Sequence, residues 1–415
     1  MSLPLPADPH PLPPPALPDA AALALRAVHR AAAELRRGTP VLLRGGDQLM
    51  VLAAAETVGA HGLAELAALA RTPPVLLLAP ARAATVAPAL RAVVPVAEVG
   101  GGGAADAVVA LRLPATLLDP AALRSLADPT LQRLLPDGQR LDRLPTPTLG
   151  AAALALAKLG RLLPAVIAAP ARDAVVPVPG KADRLDKPGR FDKPGRLDLL
   201  TVEAADILAY PASAATSLRQ VASAAVPLED APDARVIAFR AADGGIEHLA
   251  ILIGQPEALA AGGGAPLCRI HSECFTGDLL GSLRCDCGPQ LRGAISRMGA
   301  EGAGVLLYLA QEGRGIGLVN KLRAYTLQDT GLDTLDANRA LGWGADERNF
   351  LVAATMLEQL GIGQVRLLTN NPEKLAALTA CGIGVAGREA HSFAPNGVND
   401  HYLDTKARRF GHLLA

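Results

Sequence analysis

Aromatic side chains are scarce: Phe, Trp and Tyr together make up 3% of the 415 residues. Excess charge is absent too, since 40 Lys and Arg stand against 40 Asp and Glu for a formal net charge of zero. A chain with neither bulk basicity nor stacking side chains is poorly equipped for nucleic acid or an anionic membrane. Attraction for an anionic ligand must then come from local basic groups. No run of about 18 uninterrupted apolar residues suggests a bilayer span. No cationic segment followed by an apolar one reads as a leader. Cysteine is sparse as well: there are five, and four lie between Cys268 and Cys287. An odd, clustered set does not form a secreted disulfide framework. A soluble cytoplasmic protein with no nucleic-acid or membrane partner is expected.

What is abundant is Ala, Leu, Pro and Gly, and half the residues are apolar, ample for buried cores. The length calls for two domains. Residues 1–19 form a Pro-rich tail. Helical spacing runs from Ala20 to Leu35 and ends in Arg36-Arg37-Gly38, basic residues followed by a glycine cap. Val41–Leu43 and Leu49–Ala54 read as strands joined at Gly45-Gly46-Asp47. Val75–Leu78, Ala107–Leu111 and Ala165–Ala168 are further short strands, and Leu149–Leu163 an Ala-rich helix. An α/β domain over 20–175 follows. Residues 176–214 read as a linker with a Lys-Pro-Gly repeat at Lys187-Pro188-Gly189 and Lys193-Pro194-Gly195. A second domain, 215–415, opens with a hairpin of Arg235–Phe239 and His248–Ile253. The fold class is α/β, with mixed sheets in two domains.

The densest chemistry lies between Arg269 and Arg314. Cys274 is followed after ten residues by Cys285 and after one more by Cys287. Three thiolates leave a tetrahedral Zn²⁺ one open position, the mark of a catalytic site. A closed structural site with Cys268 as fourth ligand is the alternative, and spacing leaves both open. Cys381 reads as a small buried residue at a helix end. Gly304–Leu309 reads as a buried strand running into Gln311-Glu312-Gly313-Arg314-Gly315-Ile316-Gly317 and a helix from Leu318 to Gln328. Such a loop can bring backbone N–H groups to an anion. Glu312 can accept from a guanine edge and Arg314 can fork onto phosphate, or the two can form a surface ion pair. Val365–Leu368 is another strand, with Asn371 an N-cap and Pro372 the first helical residue. Free N–H groups there and Lys374 would face the same anion. A helix is expected from Asp346 to Leu360, with Asp346 as its cap. Tyr325 falls on the preceding helix, where a core tyrosine is the plain alternative.

From Arg235 to Leu414 the chain resembles GTP cyclohydrolase II, through Arg269-Ile270-His271-Ser272-Glu273-Cys274, Gly281-Ser282-Leu283-Arg284-Cys285-Asp286-Cys287, Gln311 to Gly317 and His401-Tyr402-Leu403-Asp404-Thr405-Lys406. The resemblance implies one catalytic Zn²⁺ per subunit on Cys274, Cys285 and Cys287. It implies GTP contacts at Arg269, Ile270, His271, Ser272, Glu273, Gln290, Glu312, Gly313, Arg314, Thr334, Thr369 and Lys374. Asp346 and Arg348 take the positions of proton acceptor and nucleophile toward the α-phosphorus, with an electrostatic role for Arg348 also open. Tyr325 takes the position that serves hydrolysis on the zinc side. The implied reaction opens the imidazole ring of GTP, releases formate from C8 and pyrophosphate from the α-phosphate with Mg²⁺, and starts riboflavin synthesis. A homodimer is implied as well. A paralogue for another nucleotide and a zinc-stabilised binding module without catalysis are the rival readings.

Ala32 to Gly38, Gly46-Asp47 and Leu52-Ala53-Ala54-Ala55-Glu56 are similar to the opening of 3,4-dihydroxy-2-butanone-4-phosphate synthase. That chemistry needs acidic residues and a histidine around Mg²⁺. Here Leu42-Leu43-Arg44-Gly45 replaces the acidic run. Leu149 stands where the histidine belongs and Ala151 where a glutamate belongs. A degenerate domain that kept its fold and lost its reaction is expected.

Overall fold

The computed structural model describes residues 19–87, 108–136, 140–172 and 199–413. The Pro-rich tail through residue 18 and the Lys-Pro-Gly repeat lie outside the described residues, as does the Ala107 end of one expected strand.

Alternating and fully apolar runs produce the strands of the first unit: β1 (Val41–Gly45), β2 (Gln48–Ala54), β3 (Val75–Leu78), β4 (Val109–Arg112), β5 (Asp142–Leu144), β6 (Ala165–Pro170) and β7 (Thr201–Glu203). They form one mixed sheet in the order β5-β4-β3-β6-β2-β1-β7. β1 and β2 pair antiparallel across the Gly45–Gln48 turn, as their sequence suggests. The helices of this unit are α1 (Ala20–Arg37), α2 (Ala60–Leu69), α3 (Pro80–Val86), α4 (Pro120–Ala127), α5 (Gly150–Leu159) and α6 (Ala204–Thr216). Asp19 caps α1 through Ala22 N–H, and Gly38 ends it in the left-handed conformation at φ 81°.

Two sequence expectations need correction here. The Ala-rich helix is α5, confined to Gly150–Leu159. It stops at Gly160 because the chain must turn into β6 through Leu162-Leu163-Pro164. Residues 201–216 are not connector: β7 adds in parallel to β1, and α6 buries Ile207 against the same core.

The second unit has the strands β8 (Arg219–Ala225), β9 (Arg235–Arg240), β10 (His248–Gly254), β11 (Leu267–Ser272), β12 (Ala303–Leu309), β13 (Gln364–Leu368) and β14 (Gly384–Glu389). Their order is β14-β13-β11-β12-β10-β9-β8. β8 to β10 are antiparallel neighbours, while β12, β11, β13 and β14 run parallel. The helices are α7 (Pro256–Ala261), α8 (Cys287–Glu301), α9 (Leu318–Asp329), α10 (Thr334–Ala340), α11 (Leu351–Gln359), α12 (Pro372–Ala380) and α13 (Asp400–Phe410). A ligand site in such a sheet belongs beyond the carboxyl ends of the parallel strands. β11, β12 and β13 run there into Glu273-Cys274, Gln311-Glu312 and Thr369-Asn370.

The two units share a core. Ile316, Ala324, Leu327, Ala337, Leu341 and Trp343 pack into the same apolar cluster as Leu76, Leu78, Leu123 and Leu126. Arg323 on α9 crosses the junction, with Nε 2.7 Å from Asp128 and Nη2 2.9 Å from Glu56.

Candidate active site

β11 alternates its side chains across the sheet. Cys268 and Ile270 enter the hydrophobic core, while Arg269, His271 and Ser272 reach a single deep pocket. Cys268 is fully buried there, its thiol pushed up to about 12 by desolvation. Among the described residues, the group able to hold a metal ion is Cys274, Cys285 and Cys287, with their Sγ atoms all within 4.8 Å of one another. Cys268 is outside it, which removes the closed four-cysteine alternative.

Each of these cysteines is held by its surroundings. Cys274 follows β11, and its N–H donates to Asp278 Oδ2 at 3.0 Å. Asp278 also accepts from Tyr308 at 3.0 Å and lies 3.1 Å from His271 Nε2. Cys287 is the first residue of α8. Its neighbour Asp286 accepts from Lys406 Nζ at 2.5 Å and from Gln290 Nε2 at 2.6 Å. Gly277 N–H points at Cys274 Sγ, 3.3 Å away. A Cβ on Gly277 would stand 2.7 Å from Cys285 Sγ and 2.9 Å from Cys274 Sγ, so only glycine fits.

The donor set suits zinc. Ligands at the usual Zn–S distance of about 2.3 Å in a tetrahedron sit roughly 3.8 Å apart, and Cys274 Sγ and Cys285 Sγ are 3.8 Å apart. Hydrogen bonds from Cys285 and Cys287 hold Cys274 far below the usual thiol range, helped by Lys321 Nζ at 3.0 Å. Hydrogen bonding to Cys274 pushes Cys285 up to about 11, and hydrogen bonding to Cys274 and Cys285 pushes Cys287 upward as well. A dication at the centre is what would let all three ionise together.

The thiols open onto a pocket lined by six cations (Arg269, Arg314, Lys321, Arg348, Lys374 and Lys406) and two carboxylates, Glu273 and Glu312. That is the local basicity a neutral chain requires for an anionic ligand. Four buried polar atoms on its walls lack a protein partner: Arg269 Nε, His271 Nδ1, Ser272 Oγ and His412 Nε2. Buried polar groups without partners are rare; of the eight such atoms among the described residues, these four belong to residues that line this one cavity.

Glu312 is buried and not part of a surface ion pair with Arg314. Its carboxylate accepts from Lys321 Nζ at 2.7 Å, Phe275 N–H at 2.6 Å and Gly313 N–H at 3.1 Å. Arg314 lies over the Phe410 ring at 3.6 Å, and burial lowers its pKa. Gly313 and Arg314 adopt the left-handed conformation at φ 63° and 62°, which folds the loop tightly around Glu312. Glu273 is raised by burial and then by Glu312.

Asp346 does not cap a helix. Residues 344–349 are extended loop and α11 begins at Leu351, because Asp346 is engaged elsewhere. Arg348 Nε lies 2.8 and 3.0 Å from its two oxygens, Nη2 contacts Oδ2, and Arg348 N–H donates at 3.0 Å. Burial would raise this carboxyl, but the Arg348 hydrogen bonds outweigh it and hold it below its ordinary value. Arg348 reaches the pocket, with Asp346 behind it.

Asn371 caps α12 through Glu373 N–H at 3.0 Å, and Pro372 is its first residue, as read from the sequence. Lys374 Nζ donates to Ile270 O at 2.8 Å, and burial drives its pKa well below the lysine value. Ile270 thus contributes a carbonyl behind the pocket while its side chain stays in the core. Thr334, Thr369, Gln290 and Tyr325 line the pocket. Tyr325 is raised by burial, with Arg284 over its ring at 5.0 Å. Cys381 is the half-buried cap residue after α12.

Sequence reasoning missed Lys321, which bridges the thiol cluster and Glu312. No spacing marks it, but a lysine one turn into a helix that follows a glycine-rich loop was a usable signal. Lys406 was within reach, since it closes the His401–Lys406 motif. Asn338, Gln328 and His412 carry no local pattern.

A mixed α/β fold with a thiol trio lining a cationic pocket suits an enzyme for an anionic ligand. A family model described as GTP cyclohydrolase II matches residues 219–390. GTP cyclohydrolase-2 of Azospirillum brasilense is 48% identical over 397 residues, 94% of each chain. GTP cyclohydrolase-2 of Escherichia coli O9:H4 (strain HS) is 49% identical over 197 residues, 48% of this chain and 98% of that one. The chain belongs to the GTP cyclohydrolase II family of enzymes. A solved two-domain 3,4-dihydroxy-2-butanone 4-phosphate synthase from A. baumannii matches with a TM-score of 0.30 and 16% identity, over 88% of this chain and 99% of that one.

Proposed function

We propose that this enzyme hydrolyses GTP to 2,5-diamino-6-ribosylamino-4(3H)-pyrimidinone 5′-phosphate, formate and pyrophosphate, the first step of riboflavin biosynthesis. The observation that carries the reading is the meeting of the three thiols with Glu312 and the cationic walls in one pocket. Cys274, Cys285 and Cys287 would hold one Zn²⁺ per subunit. When bound, it supplies a Lewis acid that lowers the pKa of water toward about 7.

The chain's own groups do the rest. Glu312, fixed by Lys321 and two backbone N–H groups, keeps about one free acceptor site, on Oε2, for a donor on the guanine edge. Arg314, Lys374 and Arg348 hold the phosphates, and Mg²⁺ arrives with the triphosphate. Among the described residues the cysteines are the one cluster suited to a metal, so no carboxylate cage competes for it. Arg348 meets the α-phosphate, and Asp346 orients the guanidinium and is poised to take its proton. Tyr325 stays protonated at neutral pH, because burial raises it, and can donate to a leaving group beside the thiols.

The catalytic unit begins near residue 215, and the N-terminal unit has no synthase activity. Leu149 stands against Gly45, where a Cβ would come within 2.4 Å of it, so apolar packing fills the place of the acidic cluster. The enzyme works as a cytoplasmic homodimer without nucleic acid or membrane.

The test is mass identification of the pyrimidinone product from zinc-replete protein with GTP and Mg²⁺. Ribulose 5-phosphate with Mg²⁺ is expected to yield nothing. A butanone phosphate product would overturn the inactive reading of the N-terminal unit, and no pyrimidinone would overturn the GTP reading.

A further inference from the structure

We infer that the N-terminal unit braces the nucleotide site, with Lys158 and Arg161 as positioning residues for the loops that carry Arg348 and Glu312. The inference rests on the proposed roles of those two residues toward GTP.

Both residues that flank Arg348 in sequence are gripped from the N-terminal unit. Lys158 Nζ, at the end of α5, lies 2.7 Å from Glu347 Oε1. Asn349 Nδ2 donates to the Pro211 carbonyl of α6 at 2.7 Å. Glu347 passes the restraint on in two directions. Its carboxylate accepts Gly344 N–H at 2.7 Å, and its own N–H donates to the Arg314 carbonyl at 3.0 Å. A shift of Glu347 would therefore move the Asp346–Arg348 fork and Arg314 together.

Arg161 acts on the other loop. Its Nη2 donates to the Ala310 carbonyl at 2.8 Å, two residues before Glu312. Its own carbonyl accepts from Asn320 Nδ2 at 2.9 Å. A Cβ on Gly317 would come within 3.0 Å of the Arg161 side chain, so the glycine lets it pass. Arg161 holds a left-handed backbone at φ 56°, a conformation uncommon outside glycine that persists where surroundings impose it. Glu273 and Glu312 are among the charges that act on its guanidinium. The cation from the first unit thus stands behind both carboxylates of the pocket. Neither Lys158 nor Arg161 lines the pocket, so both act through other residues.

The test is steady-state kinetics of GTP turnover in the full chain, with zinc content and Tm measured on every variant. K158A is expected to lower kcat by about tenfold, and K158A/N349A by up to about a hundredfold, with KM within about twofold. R161A is expected instead to raise KM, because it frees the Glu312 loop. K158R, whose guanidinium can still reach Glu347, is expected to restore kcat. A fold-level defect would lower zinc content and Tm, and K158R would not separate kcat from them. Wild-type kcat in K158A/N349A together with wild-type KM in R161A would overturn the inference. Inactivity of the unaltered chain toward GTP would instead refute the functional reading beneath it.

Discussion

The guanidinium of Arg348 is clamped on the carboxylate of Asp346, with Nε 2.8 Å from Oδ1 and 3.0 Å from Oδ2. A fork of this kind fixes both the direction and the protonation of its partners. D346N keeps the shape and removes the charge. It is expected to slow pyrophosphate release by about a hundredfold while GTP still binds. Single-turnover release of pyrophosphate measures this, and an unchanged rate would leave Asp346 a merely structural partner.

The thiol trio gives a prediction that does not depend on turnover. C285S removes one ligand, and zinc per chain is expected to fall from one to below about a tenth. C268S should keep its zinc, because Cys268 sits in the core away from the cluster. Metal analysis of both variants distinguishes a three-cysteine site from one that recruits Cys268.

Glu312 should carry base recognition. Loss of one charged hydrogen-bond partner costs about 1.5–3 kcal/mol. E312Q is therefore expected to raise KM for GTP by roughly ten- to a hundredfold. It should also shrink the preference for GTP over ITP, which lacks the amino group. Equal losses for both nucleotides would place Glu312 in loop structure and not in recognition.

Three histidines make the fold acid-sensitive. Burial holds His248 and His391 down to about 4 and His412 to about 3. In the unfolded chain each binds a proton near pH 6.5. Between there and pH 4 the unfolded state binds more protons, so stability rises with pH over that window and is lost as pH falls. Tm is expected to drop from pH 7 to pH 5, less steeply in H391Q. A flat Tm across that window would contradict the burial of neutral imidazoles.

Much of the site was legible because its chemistry is local in sequence. Cys274, Cys285 and Cys287 announce themselves by spacing, Asn371-Pro372 by capping, and Glu312 to Gly317 by glycine. The sheets were legible where period-two patterns pair with turns, as at β1–β2 and β9–β10. What escaped is long-range. The Asp346–Arg348 pair, two residues apart, was within reach; the expected helix cap at Asp346 was not, because a cap and an arginine clamp use the same carboxylate and the clamp takes it. Lys321 had only its place one turn into a helix after a glycine-rich loop as a signal; its partners Cys274 and Glu312 are 47 and 9 positions away. β7 and α6 hid in an apparent linker, since a three-residue strand is identified by its partner β1 and not by its own sequence. Lys158 and Glu347 are separated by 189 positions, and no motif joins them.

The most direct measurement quantifies formate and pyrophosphate together from zinc-replete protein, GTP and Mg²⁺. One formate and one pyrophosphate per GTP consumed is the expected result, with formate release lost when zinc is chelated. GTP left intact, with neither product released, would contradict the assignment of this pocket to GTP.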